Sequence, residues 1–267
     1  MAMEDLMNTP NSSITPDLEG VAPTAALLVI GNEILSGRTR DINIHACATR
    51  LTAIGVPLRE VRVVPDIEIE IAAAVNALRA RYTYVFTTGG IGPTHDDITV
   101  DSIASAFGVN VIDHPVARAL LLSHYGEAKA TPARMRMARV PDGATLIANP
   151  ISAAPGMKIG NVHILAGVPD IMAAMLDSVV AGLRHGPAIH SHSVSGFVAE
   201  STVAEELAAI AARFPSLDIG SYPWVRDGKF GTALVTRGTD GAAVEQATKA
   251  IADMVRSKGV EPEIGLE

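Results

Sequence analysis

From Thr87 to Asp97 the chain reads Thr-Thr-Gly-Gly-Ile-Gly-Pro-Thr-His-Asp-Asp. Gly89, Gly90 and Gly92 carry no side chains, so backbone N–H groups could converge there on an anion. A helix starting beyond them would aim the positive end of its dipole at the same point. Thr88 and Thr94 add hydroxyls, and the pattern points to phosphate. It is not a Walker loop, because no Gly-Lys-Ser/Thr follows, nor the dinucleotide fingerprint, because the third glycine is missing. The same residues also suit a plain strand-to-helix turn in which Thr94 and Asp97 form a capping box. The acids that follow favour a ligand. Asp97 and Asp101 are four residues apart and would share one helical face, with Asp96 beside them. Carboxylates next to a phosphate repel it unless a cation lies between, and Mg²⁺ commonly bridges one or two carboxylates to phosphate oxygens. The alternative is that these acids complement the helix dipole, which accounts for Asp96 and Asp97 better than for Asp101.

Three further loops hold candidates. Gly31–Asn43 leaves an apolar run and carries Glu33, Ser36, Asp41 and Asn43, with Arg38 and Arg40 as local counter-charges for a phosphate. It reads equally as a solvated connection with Asp41 as an N-cap. Asn149–Met157 is rich in breakers. In Ala166-Gly167-Val168-Pro169, Gly167 offers a backbone N–H and Pro169 suits a first helical position. His190-x-His192 lacks the two further ligands of a metal site. Cys47 sits on the apolar side of a helix and reads as core, and a single cysteine excludes a disulfide or a Cys-based metal site within one chain.

Regular elements must position these loops. Ala25–Ile30 is wholly apolar and suits a strand buried on both faces. Ile44, Ala48, Leu51 and Ile54 recur at helical spacing, stopped by Gly55. Leu58–Val64 is strand-like. Ile67, Ile71, Ala74, Val75 and Leu78 mark a helix with Asp66 as its N-cap. Tyr82–Thr88 is the next strand, and Val100, Ile103, Ala104 and Phe107 mark a helix stopped by Gly108. Val109–Ile112 and Val116–Tyr125 repeat the alternation. Thr145–Ala148 and Val162–Ala166 read as a strand pair before a helix from Pro169 to Leu183. Alternating strands and helices predict an α/β fold with a mostly parallel sheet covered on both faces, binding ligands beyond the carboxyl ends of its strands. From residue 187 the order becomes β-α-β-β-α, with Asp227-Gly228 as a hairpin turn, which suggests a small α+β domain of ferredoxin-like order. The expected organisation is a tail over 1–22, an α/β domain over 23–186 and the α+β domain over 187–267.

Composition narrows the function. The formal charge is −8, which argues against a nucleic-acid polymer as partner. No apolar run approaches the length of a membrane span, and the first 37 residues hold neither Lys nor Arg, so no leader is expected. The expectation is a cytoplasmic protein.

Gly31–Asn43 (GNEILSG-x-x-x-D-x-N), Thr87–Thr99 (TTGGIGPTHDDIT) and Asn149–Met157 (N-P-x-x-x-A-P-G-M) occur in this order. Together they resemble the molybdopterin-binding domain of the molybdenum-cofactor biosynthesis proteins, most nearly its branch in the competence/damage-inducible protein A family. The likeness covers about Thr24–Leu183, and Gly220–Pro223 resembles the small domain that follows there. The resemblance implies a three-layer α/β sandwich and a homo-oligomer, dimer or trimer. It also implies either molybdopterin binding or a Mg²⁺- or Co²⁺-dependent pyrophosphatase acting on ADP-ribose-like compounds. A C-terminal deamidase domain, usual in that branch, is not expected in a chain ending at Glu267. His95 stands where the family pattern has a smaller residue, and Val64-Pro65-Asp66 replaces a glycine-containing turn.

The reading is thus a protein that binds a small phosphorylated pterin or adenine nucleotide. Gly31, Ser36, Asn43, Thr88, Gly89, Gly90, Gly92, Thr94 and Gly167 would hold the ligand and Asp97 and Asp101 a divalent metal. Asp96, Asp97 and Glu33 would be catalytic if a phosphoanhydride is cleaved. The rival is a molybdopterin carrier without turnover.

Overall fold

The computed structural model describes residues 21–266. Most of the expected tail, residues 1–20, lies outside the described residues. The chain divides at Gly186–Pro187 into two compact units.

In the first unit, strand β1 (Ala25–Ile30) is buried along its whole length. It is followed by a short helix α1 (Asn32–Leu35), α2 (Asn43–Ala53), β2 (Leu58–Val64), α3 (Glu68–Arg79), β3 (Tyr84–Thr88) and α4 (Thr99–Phe107). Next come β4 (Val111–Asp113), α5 (Pro115–Tyr125), α6 (Pro132–Met135), β5 (Arg139–Pro141), β6 (Thr145–Ile147), β7 (Gly156–Ile159), β8 (Val162–Leu165) and α7 (Pro169–Val180). Six strands form one sheet in the order β2-β1-β3-β8-β7-β6, parallel except for the pairings of β7. Strand periodicity sorts β1 between two cores. Ala26, Leu28 and Ile30 face Ile71, Val75, Leu78 and Ile103 of α3 and α4. Ala25, Leu27 and Val29 face Cys47, Leu51, Met172 and Leu176 of α2 and α7. Helices thus cover both faces of the sheet, as alternating strands and helices predict, in the three-layer sandwich that the family resemblance implies. Among the described residues no helix is long and apolar enough to cross a membrane.

Three local expectations need correction. The strands at Thr145 and Val162 are not neighbours, because β7 lies between them, drawn from a stretch read as loop. A side chain at Gly156 would meet the Ile164 carbonyl oxygen at 2.7 Å, so only glycine lets β7 lie against β8 there. Gly160, at φ 56°, and Asn161 then make a two-residue turn, and Asn161 Nδ2 donates to the carbonyls of Arg79, which ends α3, and of Tyr82, between α3 and β3. Asp66 does not cap α3, whose N-cap is Ile67; its carboxylate instead accepts the Asn32 N–H at 2.9 Å, fixing the start of α1.

His163 on β8 is 2% exposed and stacks on Phe86 at 5.0 Å. Burial, helped by the charge of Lys158, lowers its pKa from 6.5 to about 4. The folded chain therefore resists a proton that the unfolded chain accepts. This stability is fully present above pH 6.5 and is lost as pH falls toward 4, a contribution of about 3 kcal/mol. His163→Leu is expected to flatten that part of the acid dependence. Urea midpoints at pH 7 and pH 4.5 check it: an equal acid-induced drop in both proteins would show that His163 is not the group responsible.

The second unit runs β9 (His190–Gly196), α8 (Glu200–Arg213), β10 (Asp218–Arg226), β11 (Lys229–Gly238), α9 (Gly241–Ser257) and β12 (Glu263–Leu266). Its antiparallel sheet has the order β10-β11-β9-β12, the split β-α-β arrangement of ferredoxin-like folds. Asp227 and Gly228 turn the β10–β11 hairpin with φ of 52° and 73°. Val194 and Leu234 pack on Val203, Ile210, Ile251 and Val255 of the two helices, covering one face of the sheet. The closing strand β12 adds to the expected order.

Candidate functional site

At the carboxyl ends of β1, β3 and β8 three loops meet with almost no room between their backbones. A side chain at Gly89 would come within 2.1 Å of the Ile30 carbonyl oxygen, and one at Gly167 within 3.1 Å of the Gly89 Cα. Gly89 has φ 101° and Gly90 φ 66°, values that L side chains rarely adopt. Thr99, opening α4, locks this turn: its hydroxyl donates to the Gly89 carbonyl at 2.9 Å and its N–H to the Gly90 carbonyl at 3.0 Å. The space beside Gly90 is filled by the Thr99 side chain itself. Protein atoms thus crowd the places that side chains at Gly89 and Gly90 would take.

Beside this junction a cleft of about 70 Å³ is lined by Glu33, Arg40, Asn43, Thr88, Gly89 and Gly167, with Ile34 and Ile42 among the apolar walls. Asn43 is the first residue of α2 and only 5% exposed. Its Nδ2 donates to the Gly167 carbonyl at 2.8 Å, which fixes the orientation of the amide. Its Oδ1 is then left buried without a partner, as is the hydroxyl of Thr88, which is 1% exposed. Asp41, whose Oδ1 accepts the Ile44 N–H at 2.8 Å, supplies the helix-start hydrogen bond, so Asn43 is not needed as a cap. Buried polar atoms normally find partners. Two residues that carry such atoms line one cleft at the carboxyl edge of a mostly parallel sheet, where folds of this kind bind ligands.

A second pocket lies on the other side of the loop, lined by Gly92, Asp97, Asp101, Arg136, Arg139 and Met157. Asp97 precedes α4 and does not share a helical face with Asp101, which corrects that expectation. The Thr94–Asp97 pair exists, but it closes a turn instead of capping the helix: the Thr94 N–H and hydroxyl both donate to Asp97 Oδ2, at 2.8 and 2.5 Å. Asp101 is held by Arg139 at 2.5 Å, and Arg136 reaches the Asp97 carbonyl at 3.5 Å. Among the described residues no three His, Cys, Asp or Glu side chains group to hold a metal. Of the acids expected to bind a divalent ion, Asp97 is thus engaged by Thr94 and Asp101 by Arg139.

The structure thus gathers Glu33, Asn43, Thr88, Gly89 and Gly167 in one cleft and Gly92, Asp97 and Asp101 in another pocket. It leaves Ser36, whose hydroxyl turns to the Glu33 carbonyl, and the exposed Thr94 and Asp96 outside both linings. Gly31 also lies outside them. A side chain there would meet only the movable end of Glu33, so its backbone does not demand glycine. Arg136 and Arg139 were missed, although Arg134, Arg136 and Arg139 form a cationic cluster in an acidic chain. Cys47 is buried, and burial pushes its thiol up to about 12, which leaves it inert as a nucleophile.

The Asp101–Arg139 pair is roughly one-third exposed on each side. Asp101→Asn is accordingly expected to change stability by about 1 kcal/mol or less, and ligand affinity should be the same with and without Mg²⁺ in wild type and variant. Calorimetry in both conditions checks this. A Mg²⁺-dependent affinity that Asp101→Asn removes would restore Asp101 as a metal ligand.

Residues 26–185 match the family described as a probable molybdopterin binding domain. The chain belongs to this family. Residues 188–263 match the middle domain of FAD synthase, and this match covers the second unit. A protein of Pyrobaculum calidifontis is 31% identical over 256 residues, covering 88% of this chain and 97% of its own length. A probable FAD synthase of Caenorhabditis elegans is 30% identical over 258 residues; the match covers 87% of this chain and only 50% of that relative. The crystal structure of CinA from Thermoplasma acidophilum, a protein of unknown function, is 36% identical with a TM-score of 0.57, over 60% of this chain and 98% of that one. The molybdopterin-binding family identified from three ordered motifs is therefore the family of the first unit.

Proposed function

We propose that the first unit binds a small phosphorylated ligand, molybdopterin-like or ADP-ribose-like, in the cleft at the ends of β1, β3 and β8. The observation that carries the reading is the pair of buried, unpartnered oxygens, Asn43 Oδ1 and Thr88 Oγ1. They ask for different things. Asn43 Oδ1 can only accept, so it fits a hydroxyl or ring N–H of the ligand, whereas the Thr88 hydroxyl can donate to a phosphoryl oxygen. Arg40 in the same lining supplies positive charge. A pterin phosphate and a ribose phosphate each present both kinds of group. Titration with ADP-ribose and with inorganic pyrophosphate tests this. ADP-ribose, which satisfies both oxygens, is expected to bind at least tenfold more tightly than pyrophosphate, and Arg40→Gln to weaken both. Absence of saturable binding by either would defeat the reading.

Glu33 favours a second reading, because a carboxylate lining a phosphate cleft is placed to act as a general base toward water. Turnover would then appear as AMP released from ADP-ribose, assayed with added Mg²⁺ or Co²⁺. Glu33→Gln should abolish the release while keeping affinity within about threefold. No AMP from wild type under any of these conditions leaves binding without hydrolysis.

A further inference from the structure

The helices of the second unit cover one face of its sheet, and on the opposite face a trough of about 340 Å³ opens between β9, β10 and β11. Its lining is Ser191, Asp218, Gly220, Tyr222, Ala233, Val235 and Arg237. Strand register sets these residues in rows. Ser191, Arg237 and Asp218 are direct cross-strand partners and form a polar row at one end. Val235 opposite Gly220 forms the next row, and Ala233 opposite Tyr222 the third. The middle of the lining is therefore glycine and apolar groups at Gly220, Val235 and Ala233, with Ser193 and Ser195 their cross-strand partners on β9. Tyr222 leans back over Gly220: a side chain there would meet its ring at 3.2 Å. Tyr222 as a residue nonetheless remains 59% exposed.

The trough thus offers an aromatic face, a middle of glycine and apolar groups, and a polar row of a carboxylate, a guanidinium and a hydroxyl. A planar ring system with faces that stack and an edge that alternates donors and acceptors complements all three parts. Nucleobases have this chemistry, and bases stack on aromatic side chains with little regard to their identity because every base has a π-face. A volume of about 340 Å³ also falls in the small-ligand range. We propose that this trough is a nucleoside-binding site, in which the base stacks on Tyr222 and its edge is read by Asp218, Arg237 and Ser191.

The site is separate from the phosphate cleft and needs no phosphate, so the two readings stand or fall independently. Trp224, the only tryptophan in the chain, lies two residues beyond Tyr222 on β10 with its ring over Gly231. Its emission supplies a local signal. Titrating the full chain with adenosine, guanosine, cytidine and uridine is expected to give a saturable change with at least one of the purines. Tyr222→Ala should weaken it tenfold or more and Tyr222→Phe less than threefold, since only the ring is needed. Asp218→Asn should change the order of preference among bases, because a carboxylate accepts where an amide can also donate. Thr88→Val, in the other unit, and excess inorganic pyrophosphate should leave nucleoside binding unchanged. No saturable change with any nucleoside, or a change that survives Tyr222→Ala, would overturn the proposal. So would loss of the signal with Thr88→Val or pyrophosphate, which would place the nucleoside in the phosphate cleft instead.

Discussion

Thr88→Val is expected to move stability and binding in opposite directions. The Thr88 hydroxyl is buried and has no partner, so the protein carries a desolvated polar atom that contributes nothing to the folded state. Valine keeps the size and β-branching of threonine and removes that atom. Denaturation should therefore show no loss, or a gain of up to about 1 kcal/mol. Binding of ADP-ribose should fall at least tenfold. A hydrogen bond to a charged phosphoryl oxygen is worth about 1.5–3 kcal/mol, and each 1.4 kcal/mol is about a factor of ten in affinity. Urea titration and calorimetry on the same preparation separate the two effects. A purely structural threonine gives another result: lower stability with unchanged affinity. That outcome would remove Thr88 from the site and leave the cleft without one of its two polar anchors.

The largest expected effect on folding belongs to Gly89→Ala. Its methyl group would lie 2.1 Å from the Ile30 carbonyl oxygen, at a φ of 101°. Neither can relax cheaply, because Ile30 ends a wholly buried strand and the Gly89 carbonyl is held by Thr99. A loss of about 3 kcal/mol or more is expected, at the severe end for a single substitution. Gly37→Ala is the control: its φ is 72°, but nothing lies within 4 Å of the added carbon. There the backbone penalty stands alone, at about 1 kcal/mol. Equal urea midpoints for the two variants would show that the turn can draw away from β1 and that the close approach is not what glycine serves.

These two positions also show how far a linear reading goes. Ala25–Ile30 had to be a strand with two covered faces, because an uninterrupted apolar run of that length has no polar side to give to water. The helical faces at Ile71–Leu78 and Cys47–Leu51 likewise follow from spacing, so the layers of the sheet were legible in the order of residues alone. So were the loops, because glycine, threonine and asparagine gather in them. The turn between β7 and β8 was also legible in principle, since Gly160-Asn161 is a hairpin signal, but Pro150 and Pro155 masked the strand beginning at Gly156.

The tasks of the individual residues were not legible. Gly89 and Gly90 look alike in sequence, yet one is crowded by the end of β1 and the other by Thr99. Asp97 and Asp101 have helical spacing, yet the helix begins between them and Arg139 takes the second acid. Asn43 acquires its role from a carbonyl 124 residues away, and only after that bond is made does its oxygen remain for a ligand. Periodicity reports which side of one element is buried, because each side chain partitions between water and the interior on its own. Which two side chains then meet depends on how the crossovers bring distant strand ends together. The sequence alone therefore determined which loops gather at one edge of the sheet, and the tertiary structure decided which polar atoms there are left without partners.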